Sequence, residues 1–109
     1  MEPQGWGYLT IWEFRVKPGR DQQFERAYGP TGAWVHLFRT GDGYVKTELV
    51  RDLKQPGRYL TLDFWRSRTA YDRFREEHRE EYEAIDARCE QLTETELHLG
   101  EFESITPPS

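Results

Sequence analysis

The chain has 109 residues, room for one domain with its own core and none for a second. Its formal net charge is −5, and no cluster of Lys and Arg is free of interspersed acids, which excludes a phosphate-binding surface and with it a nucleic-acid partner. No apolar run reaches the length of a membrane span and residues 1–7 lack the basic and apolar regions of an export signal, so no membrane partner is expected and the expected location is cytoplasmic.

Residues 1–7, with Pro3, Gly5 and Gly7, read as an extended lead-in. Tyr8 to Lys17 alternates with a period of two and carries apolar residues on both parities, the pattern of a first strand that Pro18 and Gly19 stop. Arg20 to Tyr28 brings Phe24, Ala27 and Tyr28 to helical spacing, with Asp21 and Glu25 towards the amino end. Gly29, Pro30 and Gly32 interrupt that helix, and Ala33 to Arg39 resumes it with Trp34, Leu37 and Phe38 on one face. Tyr44 to Leu53 and Arg58 to Trp65 are the second and third strands, joined through Gln55, Pro56 and Gly57. A long helix is predicted from Thr69 to Leu92, because Tyr71, Phe74, His78, Tyr82, Ile85, Cys89 and Leu92 recur at steps of three and four and so share one face. Thr93 to Glu103 closes the domain as a fourth strand, and Pro107, Pro108 and Ser109 form a short tail.

The order β-α-β-β-α-β predicts an α+β fold of the ferredoxin-like, split β-α-β kind: one domain over 1–109, core about 8–104, with a four-stranded antiparallel sheet and its helices on one face. Helices shield one side only. Leu9, Ile11, Leu60, Leu62 and Phe64 are therefore expected on a free face that meets a second copy of the chain in a homodimer, a burial of on the order of 10 kcal/mol gross.

Three stretches resemble the antibiotic biosynthesis monooxygenase family: Val16-Lys17-Pro18-Gly19-Arg20 followed by Phe24, Pro56-Gly57-Arg58-Tyr59-Leu60, and Trp65-Arg66-Ser67-Arg68-Thr69-Ala70-Tyr71. The resemblance covers nearly the whole chain and implies a dimeric α+β barrel, two such sheets packed face to face, each subunit with a cavity between sheet and helices. It also implies two branches of activity. In the cofactor-free oxygenases that turn polyphenols into quinones, a strand-ending Trp and an aromatic near the next helix start match Trp65 and Tyr71, while Thr61 stands where that branch has an Asn. In the heme-degrading branch the strand-one Asn position corresponds to Trp12 and the helix Trp position to Phe74, which disfavours heme degradation.

His78 is the expected general base. An imidazole on an apolar helix stripe is pushed towards its neutral form, which can accept a proton from a phenol, although the same placement suits a histidine that merely packs in a core. Trp65 and Tyr71 are expected to stack on and hydrogen-bond a flat aromatic or polyketide-like ligand, with Trp12, Trp34, Phe38, Phe74 and Tyr82 as cavity walls; core filling is the competing account of each. His36 and His98 are scattered on polar positions, Cys89 lies inside the stripe as a small buried hydrophobe, and no metal, nucleotide or Ser-nucleophile signature occurs. The expected function is thus a monooxygenase without a cofactor, in which a base deprotonates a phenolic substrate and the resulting anion reduces dioxygen. The alternatives are a non-catalytic binding or structural module and an isomerase or decarboxylase that uses the same base.

Overall fold

The computed structural model describes residues 5–106; the first four residues of the predicted lead-in and the predicted tail at 107–109 lie outside them. Strand β1 runs from Tyr8–Val16, helix α1 from Asp21–Tyr28, α2 from Ala33–Phe38, β2 from Tyr44–Arg51, β3 from Arg58–Trp65, α3 from Arg68–Glu77 and α4 from Arg79–Cys89. A single 3-10 turn, Glu90–Leu92, then leads into β4, Thr93–Glu103. The sheet is antiparallel in the order β2-β3-β1-β4, so the two strands with apolar residues on both parities are the central ones.

Register decides which side chains meet. Tyr8 pairs with Trp65, Thr10 with Asp63, Trp12 with Thr61 and Phe14 with Tyr59, and this parity lies under the helices. The opposite parity pairs Leu9 with Phe64 and Ile11 with Leu62 on the face the helices leave open. Lys46 extends along that open face with its ammonium 5.0 Å from the centre of the Phe64 ring, and Trp6 meets the same ring edge-on at 5.1 Å.

Two boundaries differ from the sequence reading. The second strand ends at Arg51 rather than Leu53, because the Asp52 carboxylate accepts hydrogen bonds from the backbone N–H groups of Lys54 (2.7 Å) and Gln55 (3.2 Å) and folds the chain into a turn. The predicted single helix is divided at His78, whose φ of −117° and ψ of 31° depart from helical values. The backbone bonds from His78 N–H to the Phe74 carbonyl and from Tyr82 N–H to the His78 carbonyl are both kept at 2.9 Å, so α3 and α4 form a bent pair in register rather than two unrelated helices. Ser67 caps α3 by accepting from the Ala70 N–H at 3.1 Å. The stripe from Phe74 through Ile85, Cys89 and Leu92 is buried as its spacing predicts. Among the described residues no helix is long and apolar enough to cross a membrane.

Candidate functional site

Between the sheet and the helices lies a cavity of about 30 Å³ lined chiefly by aromatic rings. Its floor is the helix-side parity of the sheet: Trp12 and Phe14 from β1, Thr47 from β2, Thr61 and Asp63 from β3, and Glu96 from β4. Its roof is Tyr28 from α1, Trp34 and Phe38 from α2, Tyr71 from α3, and Tyr82 and Asp86 from α4.

Asp63 is the exceptional member. It is 7% exposed, with Thr10 opposite on β1 and Thr47 opposite on β2. Thr47 Oγ1 donates to Asp63 Oδ1 at 2.7 Å, and Tyr44 Oη donates in turn to Thr47 at 2.8 Å, a short chain that orients the carboxyl. Oδ2 takes no hydrogen bond from any described residue. Burial pushes the carboxyl up to about 6, and the Thr47 bond offsets only part of that rise. Near neutral pH this group is a carboxylate held in a poorly solvated place with one oxygen free, the state required of a general base.

Tyr71 and Tyr82 face one another across the roof with Arg75 between them. The guanidinium donates to the Tyr71 hydroxyl at 3.0 Å and lies 3.9 Å over the Tyr82 ring. Burial raises the pKa of both phenols, so both are neutral donors near pH 7. Trp34 meets Tyr82 edge-on at 4.9 Å. Its indole N–H is buried without an acceptor; the Tyr28 hydroxyl and Cys89 thiol lie near enough to be influenced by it without completing a hydrogen bond.

Of the residues singled out in the sequence, Trp12, Trp34, Phe38, Tyr71 and Tyr82 meet around this cavity, whereas His78, Trp65 and Phe74 are not among its lining residues. Trp65 is fully buried, enclosed by Phe38 (5.9 Å), Tyr44 (5.3 Å), Tyr71 (5.5 Å) and Phe74 (5.0 Å), and therefore braces the wall from behind. His78 sits at the bend between α3 and α4 with its ring 4.9 Å from that of Phe74; its Nδ1 is buried without a hydrogen bond and lies 3.6 Å from a Glu81 oxygen. Tyr71 before His78 and Tyr82 after it both line the cavity, and the bend between α3 and α4 falls at His78 itself, so membership of the stripe did not place the imidazole in the lining. His98, assigned to a polar position, stacks on Trp12 at 4.6 Å and approaches Thr10 Oγ1 with Nε2 at 2.8 Å, fixing the floor from the edge strand.

Sequence reasoning missed Asp63 although its signal was present: the residue shares its parity with Tyr59, Thr61 and Trp65, all on the covered face, and an acid on the covered parity of a central strand calls for a reason.

The chain matches the antibiotic biosynthesis monooxygenase family over residues 8–88, most of its length. It belongs to that family. No curated protein sequence matches it. Among solved structures, a Nitrosomonas europaea protein provisionally assigned as an antibiotic biosynthesis monooxygenase superimposes with a TM-score of 0.73 over 100% of both chains at 15% identity. SnoaB, a cofactor-independent oxygenase from Streptomyces nogalater, gives 0.69 over 94% of this chain and 97% of its own at 17% identity. A variant of MhuD with two manganese protoporphyrin IX molecules per active site gives 0.69 over 94% and 98% at 20% identity. Identities this low speak for a common fold. The antibiotic biosynthesis monooxygenase fold, α+β and ferredoxin-like, and a monooxygenase-like superfamily follow for this chain; the chemistry rests on the side chains of its own cavity.

Proposed function

We propose that this family member oxidises a flat phenolic or polyketide-like aromatic in the cavity between sheet and helices, with Asp63 as the base. One observation carries the reading: a buried carboxylate with a free Oδ2, among aromatic walls, holding its charge near neutral pH at a cost to the fold. Asp63 Oδ2 takes the phenolic proton. The electron-rich anion passes an electron to dioxygen, and the two radicals combine at the ring carbon para to the oxygen. Protonated Asp63 returns its proton to the peroxide, and loss of water from that carbon leaves a quinone, so one dioxygen is consumed and one water released per turnover. The electrons come from the substrate, so the sequence of steps calls for no bound cofactor. Tyr71 and Tyr82, both neutral donors, hydrogen-bond the developing oxyanion, and Trp12, Trp34 and Phe38 hold the ring. The residue the sequence favoured as base, His78, lies outside the lining, and the proton-accepting role passes to Asp63. The functional unit is a homodimer built on the open face of the sheet.

Oxygen uptake with a panel of hydroxylated naphthalenes and anthracenes tests the reading. Turnover is expected from the parent protein and from His78→Ala, and at least about a hundredfold loss from Asp63→Asn, in line with removal of a general base. Equal turnover by Asp63→Asn, or loss of turnover confined to His78→Ala, would reassign the base.

The small free volume favours a second reading, a non-catalytic module whose cavity is filled by its own side chains. A gap of about 30 Å³ holds on the order of two waters, whereas a benzene-sized ligand occupies a cavity of about 150 Å³. A ring can enter only if lining side chains move. Absence of both binding and oxygen uptake across the panel would favour this second reading.

A further inference from the structure

We propose that Arg75 is a positioning residue of the cavity that acts through Tyr71, turning the Tyr71 hydroxyl into a charge-assisted donor for the phenolate oxygen of the ligand. The inference rests on the oxygenase reading above for the class of ligand, and adds the residue that strengthens the bond to its oxygen.

Arg75 is not part of the lining. It borders an outer hollow with Asp72, Glu76, Arg79 and Glu83, and Tyr82 borders both that hollow and the cavity. Three carboxylates share the hollow, yet Arg75 forms no ion pair with any described residue, and Asp72 pairs with Arg68 instead. The guanidinium turns to the two phenols, donating to Tyr71 Oη at 3.0 Å and lying 3.9 Å from the centre of the Tyr82 ring. Its charge is therefore spent on the roof of the cavity and not on surface pairing.

A phenol oxygen that accepts a hydrogen bond from a cation holds its own proton less tightly and donates it more strongly. Tyr71 lines the cavity and donates to no described residue, so the proton polarised in this way is available to a ligand oxygen. The charges around the phenol agree with that role. Burial raises its pKa, Arg75 opposes the rise by its charge and by its hydrogen bond, Asp63 on β3 adds to the rise, and Tyr82 on α4 opposes it. Tyr8 from β1 packs its ring 5.3 Å from that of Tyr71 on the remaining side. The stack on Tyr82 fixes the plane of the guanidinium, and because Tyr71 belongs to α3 and Tyr82 to α4, one side chain holds both phenols across the bend at His78. A lysine would keep the charge without the stack.

4-Nitrophenol, a single ring whose anion alone is yellow, reports the ionisation of a bound phenol without any turnover. At a given pH the ratio of anion to phenol in the bound probe is expected to be about tenfold higher in the parent than in Arg75→Gln, with Arg75→Lys between them. In a Tyr71→Phe background the same Arg75→Gln change is expected to alter that ratio by less than about twofold, because the residue through which Arg75 acts is gone. With a hydroxylated naphthalene that the parent oxidises, Arg75→Gln is expected to lower kcat about tenfold and leave KM within about twofold, the pattern of a bond that strengthens as the oxyanion develops. The same bound ionisation in parent and Arg75→Gln, an Arg75 effect undiminished by Tyr71→Phe, no binding of the probe, or a change in KM with kcat unaltered would each overturn the proposal. Bound ionisation that depends on Arg75 through Tyr71, without oxygen uptake by the parent, would overturn the oxygenase reading and leave this one standing; oxygen uptake with ionisation independent of Arg75 would do the reverse.

Discussion

At the scale of single residues, the weight falls on Asp63. An unfolded chain releases this proton near the ordinary value of 3.8, whereas the fold holds it to about 6. Between those values the folded state binds a proton that the unfolded state has lost, so raising the pH through this window lowers stability, and the full penalty is present above it. A displacement of this size corresponds to on the order of 3 kcal/mol. Asp63→Asn keeps the acceptor for Thr47 and carries no charge, so its stability relative to the parent is expected to be near zero at pH 4 and to rise by about 2–3 kcal/mol by pH 7. Urea titrations of both proteins at the two pH values measure the difference; a gap independent of pH would mean that the carboxyl is not strained in the fold. The same titration should appear in activity with the opposite sense: kcat/KM rises with pH through an acid limb near 6, because only the carboxylate can accept a proton. A variant that gains stability at neutral pH while losing turnover is the expected mark of a charge kept for function.

Elements explain how much of this was legible in the sequence. Periods of two and of three to four located all four strands and all the helices, because burial on one face leaves a repeating trace in the chain. The bend at His78 left none, since the residue continues the apolar stripe and its backbone bonds while its own dihedrals depart from the helix. The cavity was half legible. Aromatic residues could be assigned to the covered side, but whether Trp65 lines a space or supports a wall depends on which ring lies in front of it, and that is settled by the α2–β2 connection. There Gly41 lets the chain pass close to the core: a Cβ at this position would lie 2.7 Å from Phe74 Cδ1 and 3.2 Å from Trp65 Cη2. Gly41→Ala is accordingly expected to cost about 1–3 kcal/mol, as other overpacked cores do. A fall in Tm of several degrees in a calorimetric scan would agree, whereas an unchanged Tm would show that Phe74 gives way freely.

For the whole molecule, the decisive surface is the side of the sheet that the helices do not cover. The central strands place Ile11 beside Leu62 and Leu9 beside Phe64 on it, and the edge strand β4 adds Leu97, 54% exposed, and Phe102, 50% exposed. Charges are present as well: Glu13 and Arg58 form an ion pair on β1 and β3, and Arg58 also donates to Asp52 at 2.8 Å, so these three charges are paired within the subunit. What remains in the middle is apolar and contiguous, the kind of patch a monomer seldom leaves to solvent. A two-fold axis near the Ile11–Leu62 pair would lay this patch on its own copy. Ultracentrifugation of the parent protein at micromolar concentration is expected to give twice the chain mass. Leu62→Asp puts an unpaired carboxylate at the centre of the contact while leaving the helix-side parity untouched, and should give the monomer mass with the melting temperature no longer dependent on protein concentration. A parent protein that sediments as a monomer would refute the dimer, whereas a Leu62→Asp protein that stays dimeric would move the contact away from the centre of the sheet.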